Sequence, residues 1–342
     1  MKSLILSALA GASLVASAPT ATKVKYAGVN IAGFDFGCTT DGTCSLTGTN
    51  KPYDIVQGAN AVGQMNHFVK DDTLNTFRLP VGWQFLLNGN LGGTLNSNNV
   101  AQYDRLVQGC LNSGALLCIL DIHNYARWNG KIVGQQGGPT NAQLADVWKQ
   151  LATKYGKNSK IAFGVMNEPH DMPAVVTAIR GAGATTNIIL MPGQQYTSAG
   201  AFVSSGSADA LATVKNPDGT TDNLIMDVHK YLDSDNSGTH TECVTDNIDS
   251  AFKPLATWLK ANNRQAMLTE TGGGNTQSCQ KYLCAQLQFL NQNADVYLGY
   301  TGWAAGGFAA SYELVETPTQ NGNSWTDTAL VKSCIVGAWK GQ

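Results

Sequence analysis

Eight times along this chain a short apolar run gives way to a segment of helical periodicity. The runs are Val24–Gly33, Thr76–Trp83, Leu116–His123, Ile161–Met166, Asn187–Pro192, Leu224–His229, Ala266–Thr269 and Val296–Trp303. Most are too continuously apolar for a sheet with one wet face, so they predict strands buried on both sides. Helices are predicted at Gly63–Lys70, Asn98–Asn112, Asn141–Tyr155, Met172–Ala182, Ala208–Val214, Asn247–Ala261 (capped near Asp246), Cys279–Leu290 and Asp327–Trp339. Asn141–Tyr155 is the clearest, with Leu144, Val147, Trp148, Leu151 and Tyr155 on one stripe. Strands that alternate with helices imply a parallel sheet. An open doubly wound sheet normally carries a G-x-G-x-x-G turn after its first strand, and GVNIAGFDFG lacks that spacing. Eight units over this length match a closed (β/α)8 TIM barrel, an α/β fold in one domain.

The fourth unit reads Ile161–His170, IAFGVMNEPH. Its apolar strand runs into Asn167 and Glu168, and Pro169 ends it. An acid at the end of a buried strand is costly unless it is paired or does chemistry. The form recurs in QAMLTETGGG, where Glu270 follows an apolar strand and precedes three glycines. Polar residues stand at the same place in other units: Arg78, His123, His229, Tyr231 and Trp303. Any one of these alone would more often be structural. In a barrel, however, the carboxyl ends of all strands meet on one face, where barrel active sites lie.

The remaining features narrow the class. The formal net charge is -2 and charged residues are 13%, about half the usual share, with no Lys/Arg run. Nucleic acid is therefore not an expected partner. Residues 1–18 carry Lys2, an apolar core Leu4–Val15 and the small-residue pattern Ala16-Ser17-Ala18, the marks of a secretory signal. Pro19 would shift the cleavage point by a few residues. The core is too short to span a bilayer, and no later segment could do so. Eight cysteines in a secreted chain point to disulfides, with 105 pairings open to them. No CxxC, HExxH or N-glycosylation spacing occurs. The mature chain, 19–342, reads as one catalytic domain without linker or carbohydrate-binding module, expected to be secreted and monomeric.

The motifs TFRLPVGW, LDIHNYARWNG, VMNEPH, MDVHKYLD, TETGGG and GYTGWAAG, with GVNIAGFDFGC at the start, resemble the family-5 glycoside hydrolases. Within that family they are most similar to fungal endo-β-1,4-glucanases, and the likeness spans nearly the whole mature chain. The resemblance implies Glu168 as acid/base and Glu270 as nucleophile, with Arg78, His123, Asn167, His229, Tyr231 and Trp303 around them. It implies disulfides Cys38–Cys44, Cys110–Cys118, Cys243–Cys279 and Cys284–Cys334. It also implies that cellulose or soluble β-glucan is the substrate and that no metal or organic cofactor is required. Mannan and xyloglucan remain alternative substrates, and a non-catalytic glucan-binding wall protein is the alternative from another class.

Elementary chemistry agrees with those roles. A retaining glycosidase needs two carboxyls about 5–5.5 Å apart. Arg78 could hold Glu270 ionised and Tyr231 could donate to it. Asn167 could bond a sugar 2-hydroxyl, and His123 and His229 could orient these groups. Sugar rings have apolar faces, so Trp303 is expected to stack at the cleavage point. Trp128, Trp83 and Tyr125 are candidates for neighbouring subsites. Trp148, Trp258 and Trp339 are assigned to helix packing. Trp325, His67, His170 and His240 receive no role.

Overall fold

The computed structural model describes residues 23–49, 51–52, 59–169 and 175–341. The signal segment 1–18 and His170 lie outside the described residues. Eight parallel strands close into a barrel: β1 Tyr26–Ala32, β2 Thr76–Val81, β3 Leu117–Ile122, β4 Ile161–Gly164, β5 Ile189–Pro192, β6 Leu224–His229, β7 Ala266–Glu270 and β8 Tyr297–Gly306. Each strand pairs with its sequence neighbours, and β8 pairs with β1 to seal the ring. All but one of their residues are buried, as strands covered on both faces require. Gly28 is obligatory at the β1–β2 seam, because a Cβ there would stand 1.6 Å from the Thr76 carbonyl oxygen.

Helices wrap the outside: α1 Ala61–Lys70, α2 Ser97–Asn112, α3 Asn141–Tyr155, α4 Val176–Gly181, α5 Ser207–Ala212, α6 Lys253–Ala261, α7 Gln277–Gln292 and α8 Gly337–Lys340. A π-helical turn leads into each of α6 and α8, at Ile248–Phe252 and Val331–Val336. Local chemistry sets several starts. Thr140 and Gln143 form a reciprocal capping box on α3, and Asn96 and Thr276 cap α2 and α7. Asp246 accepts from the Ile248 N–H at the predicted cap. The stripe predicted for α3 is buried in full: Leu144, Val147, Trp148, Leu151 and Tyr155.

The structure departs from the predicted elements in three places. Trp83 does not extend β2; it opens a short helix, Trp83–Leu87, and its ring is fully buried. Strand β8 continues past Trp303 to Gly306, held by β1 through Ile31–Ala305 and Ala32–Gly306. Two small hairpins, Arg127–Trp128 with Lys131–Ile132 and Thr319–Asn321 with Ser324–Thr326, fall in stretches expected to be loops. The four implied disulfides are all present: Cys38–Cys44, Cys110–Cys118, Cys243–Cys279 and Cys284–Cys334. Among the described residues no helix is long and apolar enough to cross a membrane.

Candidate active site

The carboxyl ends of the strands open into a cleft of about 700 Å³, lined by His123, Tyr125, Glu168, His229, Tyr231, Glu270 and Trp303 among others. At its floor lies Arg78, fully buried on β2. Its guanidinium pairs with Glu270 and with Asp121 (3.0 Å), and donates to Asn30 Oδ1 and Asn167 Oδ1, each at 2.9 Å. A fork with fixed donors suits such a hub, because it can hold several oxygens at once. Asn167 is thereby oriented by Arg78.

Glu270 ends β7, with its side chain 5% exposed. It accepts from the Tyr231 hydroxyl at 2.8 Å and lies 3.5 Å from His229 Nδ1. Burial would raise its pKa, but His229, Arg78, His123 and the Tyr231 hydrogen bond together outweigh burial and hold it at about 2. Glu168 differs. Its φ of 41° places it in the left-handed region, a strain of order 1–3 kcal/mol for a residue with a side chain. Its carboxylate is 17% exposed and meets His229 Nδ1 at 2.9 Å.

His229 links the two acids. Its Nε2 lies 3.0 Å from Thr269 Oγ1, and Thr269 donates its only hydroxyl hydrogen to Asp227. Thr269 can therefore only accept from His229, so Nε2 carries a proton and Nδ1 is left to trade one with Glu168. Burial works against charging His229, yet Glu270 and Glu168 raise its pKa overall. His123 is raised in the same sense: Asp121, 2.8 Å from Nδ1, outweighs burial. The His123 ring stacks on Trp303, centroids 5.2 Å apart and 12° from parallel, a cation–π arrangement when the imidazole is charged. Trp303 Nε1 donates to the Tyr312 hydroxyl at 3.1 Å.

Of the residues predicted from sequence, Arg78, His123, Asn167, Glu168, His229, Tyr231, Glu270 and Trp303 are brought together here, and Tyr125 lines the cleft beside His123. Trp128 is 8% exposed and packs edge-on against the buried Trp83, so neither ring lines the cleft. Sequence reasoning missed Asp121 and Asp227. Each precedes a predicted histidine by two residues, which on a strand puts both side chains on one face, and that spacing was the available signal. It also missed Asn30, which lies within the quoted GVNIAG and holds Arg78. Gln195, Tyr196, Phe308 and Tyr312 reach the cleft from loops that carry no such signal.

Comparisons with known proteins identify the family and the fold. The model of the family described as cellulase, glycosyl hydrolase family 5, matches residues 29–306. Endoglucanase EG-II of Hypocrea jecorina is 62% identical over 330 residues, covering 93% of this chain and 78% of its own length. The crystal structure of Cel5A (EG2) from the same organism superposes with a TM-score of 0.89 and covers 92% of this chain and 98% of its own. XacCel5A, solved in complex with cellopentaose, is 29% identical with a TM-score of 0.77 over 92% of this chain and 99% of its own. With the barrel, the paired glutamates and these relatives in agreement, the chain belongs to the cellulases of glycosyl hydrolase family 5.

Proposed function

We propose that this endoglucanase cleaves internal β-1,4 bonds of cellulose and soluble β-glucan with retention, Glu270 acting as nucleophile and Glu168 as acid/base. One observation carries the reading. A carboxylate oxygen of Glu168, one of Glu270 and a nitrogen of His229 all lie within 4.8 Å of one another. Retaining enzymes hold their carboxyls about 5–5.5 Å apart, whereas inverting ones leave about 6.5–9.5 Å for a water. The close approach of the two acids supports retention over inversion.

In the first step a Glu270 oxygen attacks the anomeric carbon while Glu168 gives its proton to the departing glycosidic oxygen. The C–O bond to the leaving sugar breaks and a glycosyl ester on Glu270 forms. In the second step Glu168, now a carboxylate, takes a proton from water, whose oxygen displaces Glu270. His229 suits the exchange, since its Nδ1 can share the proton that Glu168 gains and loses. Arg78 and Tyr231 keep Glu270 ionised and in position. Asn167 is oriented to meet the 2-hydroxyl, and Trp303 offers a flat apolar face to the sugar.

The eight paired cysteines and the segment 1–18 support secretion, since disulfides persist in oxidising compartments. The test is reducing-end release from carboxymethylcellulose, barley β-glucan, galactomannan and laminarin, with Glu270→Gln as the blank. Release from the first two, absent in the blank, is expected, with the β-anomer as first product by NMR. Release mainly from galactomannan would overturn the substrate, and first release of the α-anomer would overturn the mechanism. No release from any polymer would favour a glucan-binding protein.

A further inference from the structure

A second group of imidazole and carboxylates sits outside the cleft. His67 lies on α1, Asp71 and Asp72 follow the end of that helix, and Asp327 precedes α8. His67 Nδ1 stands 2.6 Å from Asp71 Oδ2. Its Nε2 stands 2.9 Å from Asp327 Oδ1 and 3.4 Å from Asp72 Oδ2. The side chains of His67, Asp72 and Asp327 are only 5%, 9% and 9% exposed. Asp72 Oδ2 is shut off from solvent, accepts no hydrogen bond from the described residues and faces the imidazole. Trp325 stacks on the His67 ring, centroids 5.7 Å apart. None of these residues lines the cleft.

We propose that His67 Nε2, Asp72 Oδ2 and Asp327 Oδ1 bind one divalent transition-metal cation of the Mn²⁺ or Zn²⁺ kind, tying α1 to the segment that enters the last helix. The spacing is the first reason. Donors bound at about 2.0–2.2 Å around one ion stand roughly 3.0–3.5 Å from each other, and His67 Nε2 lies 2.9 and 3.4 Å from the two oxygens. The second reason is Asp71. A metal-ligating histidine almost always gives its other N–H to a carboxylate or carbonyl, which fixes the tautomer that leaves the far nitrogen free to ligate. Asp71 is placed on Nδ1 for that purpose.

The third reason is the Asp72 oxygen together with the charge. Three carboxylates face one imidazole and one ammonium, Lys340, which reaches Asp72 Oδ1 at 3.8 Å and leaves Oδ2 free. With His67 neutral, one negative charge stays uncompensated on the buried pair Asp72 and Asp327, whereas Asp71 is 62% exposed to water. A divalent ion with neutral His67 and Lys340 balances the three carboxylates. One imidazole with two carboxylates suits Mn²⁺ and Zn²⁺ better than Ca²⁺, whose sites are built from oxygen alone. The donors come from positions 67, 72 and 327, so no local spacing in the sequence announces them.

The test uses the whole mature chain, freed of metal with a chelator and titrated with MnCl₂ and with ZnCl₂ by calorimetry. Loss of the free Mn²⁺ EPR signal serves as a second readout. One ion per chain is expected, with a rise in Tm on binding. Asp327→Asn should weaken binding at least tenfold and abolish the Tm rise while leaving kcat on soluble glucan unchanged. Asp71→Asn should weaken it about 10–100-fold, the usual effect of removing a carboxylate behind a histidine ligand. No binding to the unaltered protein at millimolar ion overturns the proposal, whatever the variants do. So does binding that Asp327→Asn leaves intact, which puts the ion elsewhere, or that cello-oligosaccharide displaces, which puts it in the cleft.

Discussion

The ends of β4 and β7 each present a glutamate to the same cleft, and the two environments differ. Glu270 is clamped by Arg78 and Tyr231, with His229 close by, and its side chain is 5% exposed. Among the described residues Glu168 has one hydrogen-bonded side-chain partner, His229, and it is 17% exposed on a left-handed backbone. A group that must stay ionised benefits from several fixed partners. A group that must gain and lose a proton in each turnover needs one partner that can follow it. The difference teaches that two identical residues are given different environments by the number and kind of their neighbours, which is what the proposed division into nucleophile and acid/base requires.

Four measurements would break or sharpen that contrast. Glu270→Gln should have the largest effect, lowering kcat on β-glucan by on the order of 10⁴–10⁶-fold, the scale seen when a nucleophile is removed. Glu168→Gln should cost about 10²–10⁴-fold on polymer. It should cost far less in the first step on an aryl cellobioside, whose leaving group departs without a proton, as burst kinetics would show. Equal losses on both substrates would erase the distinction between the two strand ends.

Tyr231→Phe removes one hydrogen bond to a charged group, about 1.5–3 kcal/mol or roughly 10–100-fold in kcat/KM. It should also raise the pKa of Glu270. That pKa lies below its ordinary 4.5 at about 2, so ionised Glu270 stabilises the fold above pH 4.5 and this is lost as pH falls towards 2. With Tyr231 gone, the acid limb of the kcat/KM profile due to Glu270 should move to higher pH. An unmoved limb would show that Arg78 and the histidines alone set the value. The smallest effect is expected from Tyr196→Ala, at the cleft rim. Loss of one ring face, about 0.5–1.5 kcal/mol, should raise KM roughly 2–10-fold with kcat held.

Most of the fold was legible because buried parallel strands leave continuous apolar runs and amphipathic helices leave stripes. The run LLCILDIH and the stripe of Asn141–Tyr155 correspond to β3 and α3 within a residue. Trp83 was misplaced because nothing after VGW in the sequence says that the chain turns helical there, which swings the ring into the core. Trp128 was misplaced with it, since a tryptophan beside a site histidine reads the same whether its ring faces sugar or another indole. Asp121 and Asp227 were legible in principle, two residues before the histidines they serve. Tyr196 and Tyr312 were not, because loops carry no period from which a direction can be read.

By itself the sequence determined the eightfold βα rhythm, the barrel that follows from it, and the residue types at the strand ends. These depend on burial and periodicity, which are local properties of the chain. Only the tertiary structure decided which neighbours each acid would have: that Arg78 meets Glu270 and Asp121, that His229 lies between both glutamates, and that His67 meets Asp327 from the far end of the chain. The physical reason is that protonation and charge depend on distances of a few ångströms between groups far apart in the chain. Closing the ring at the β1–β8 seam is what sets those distances.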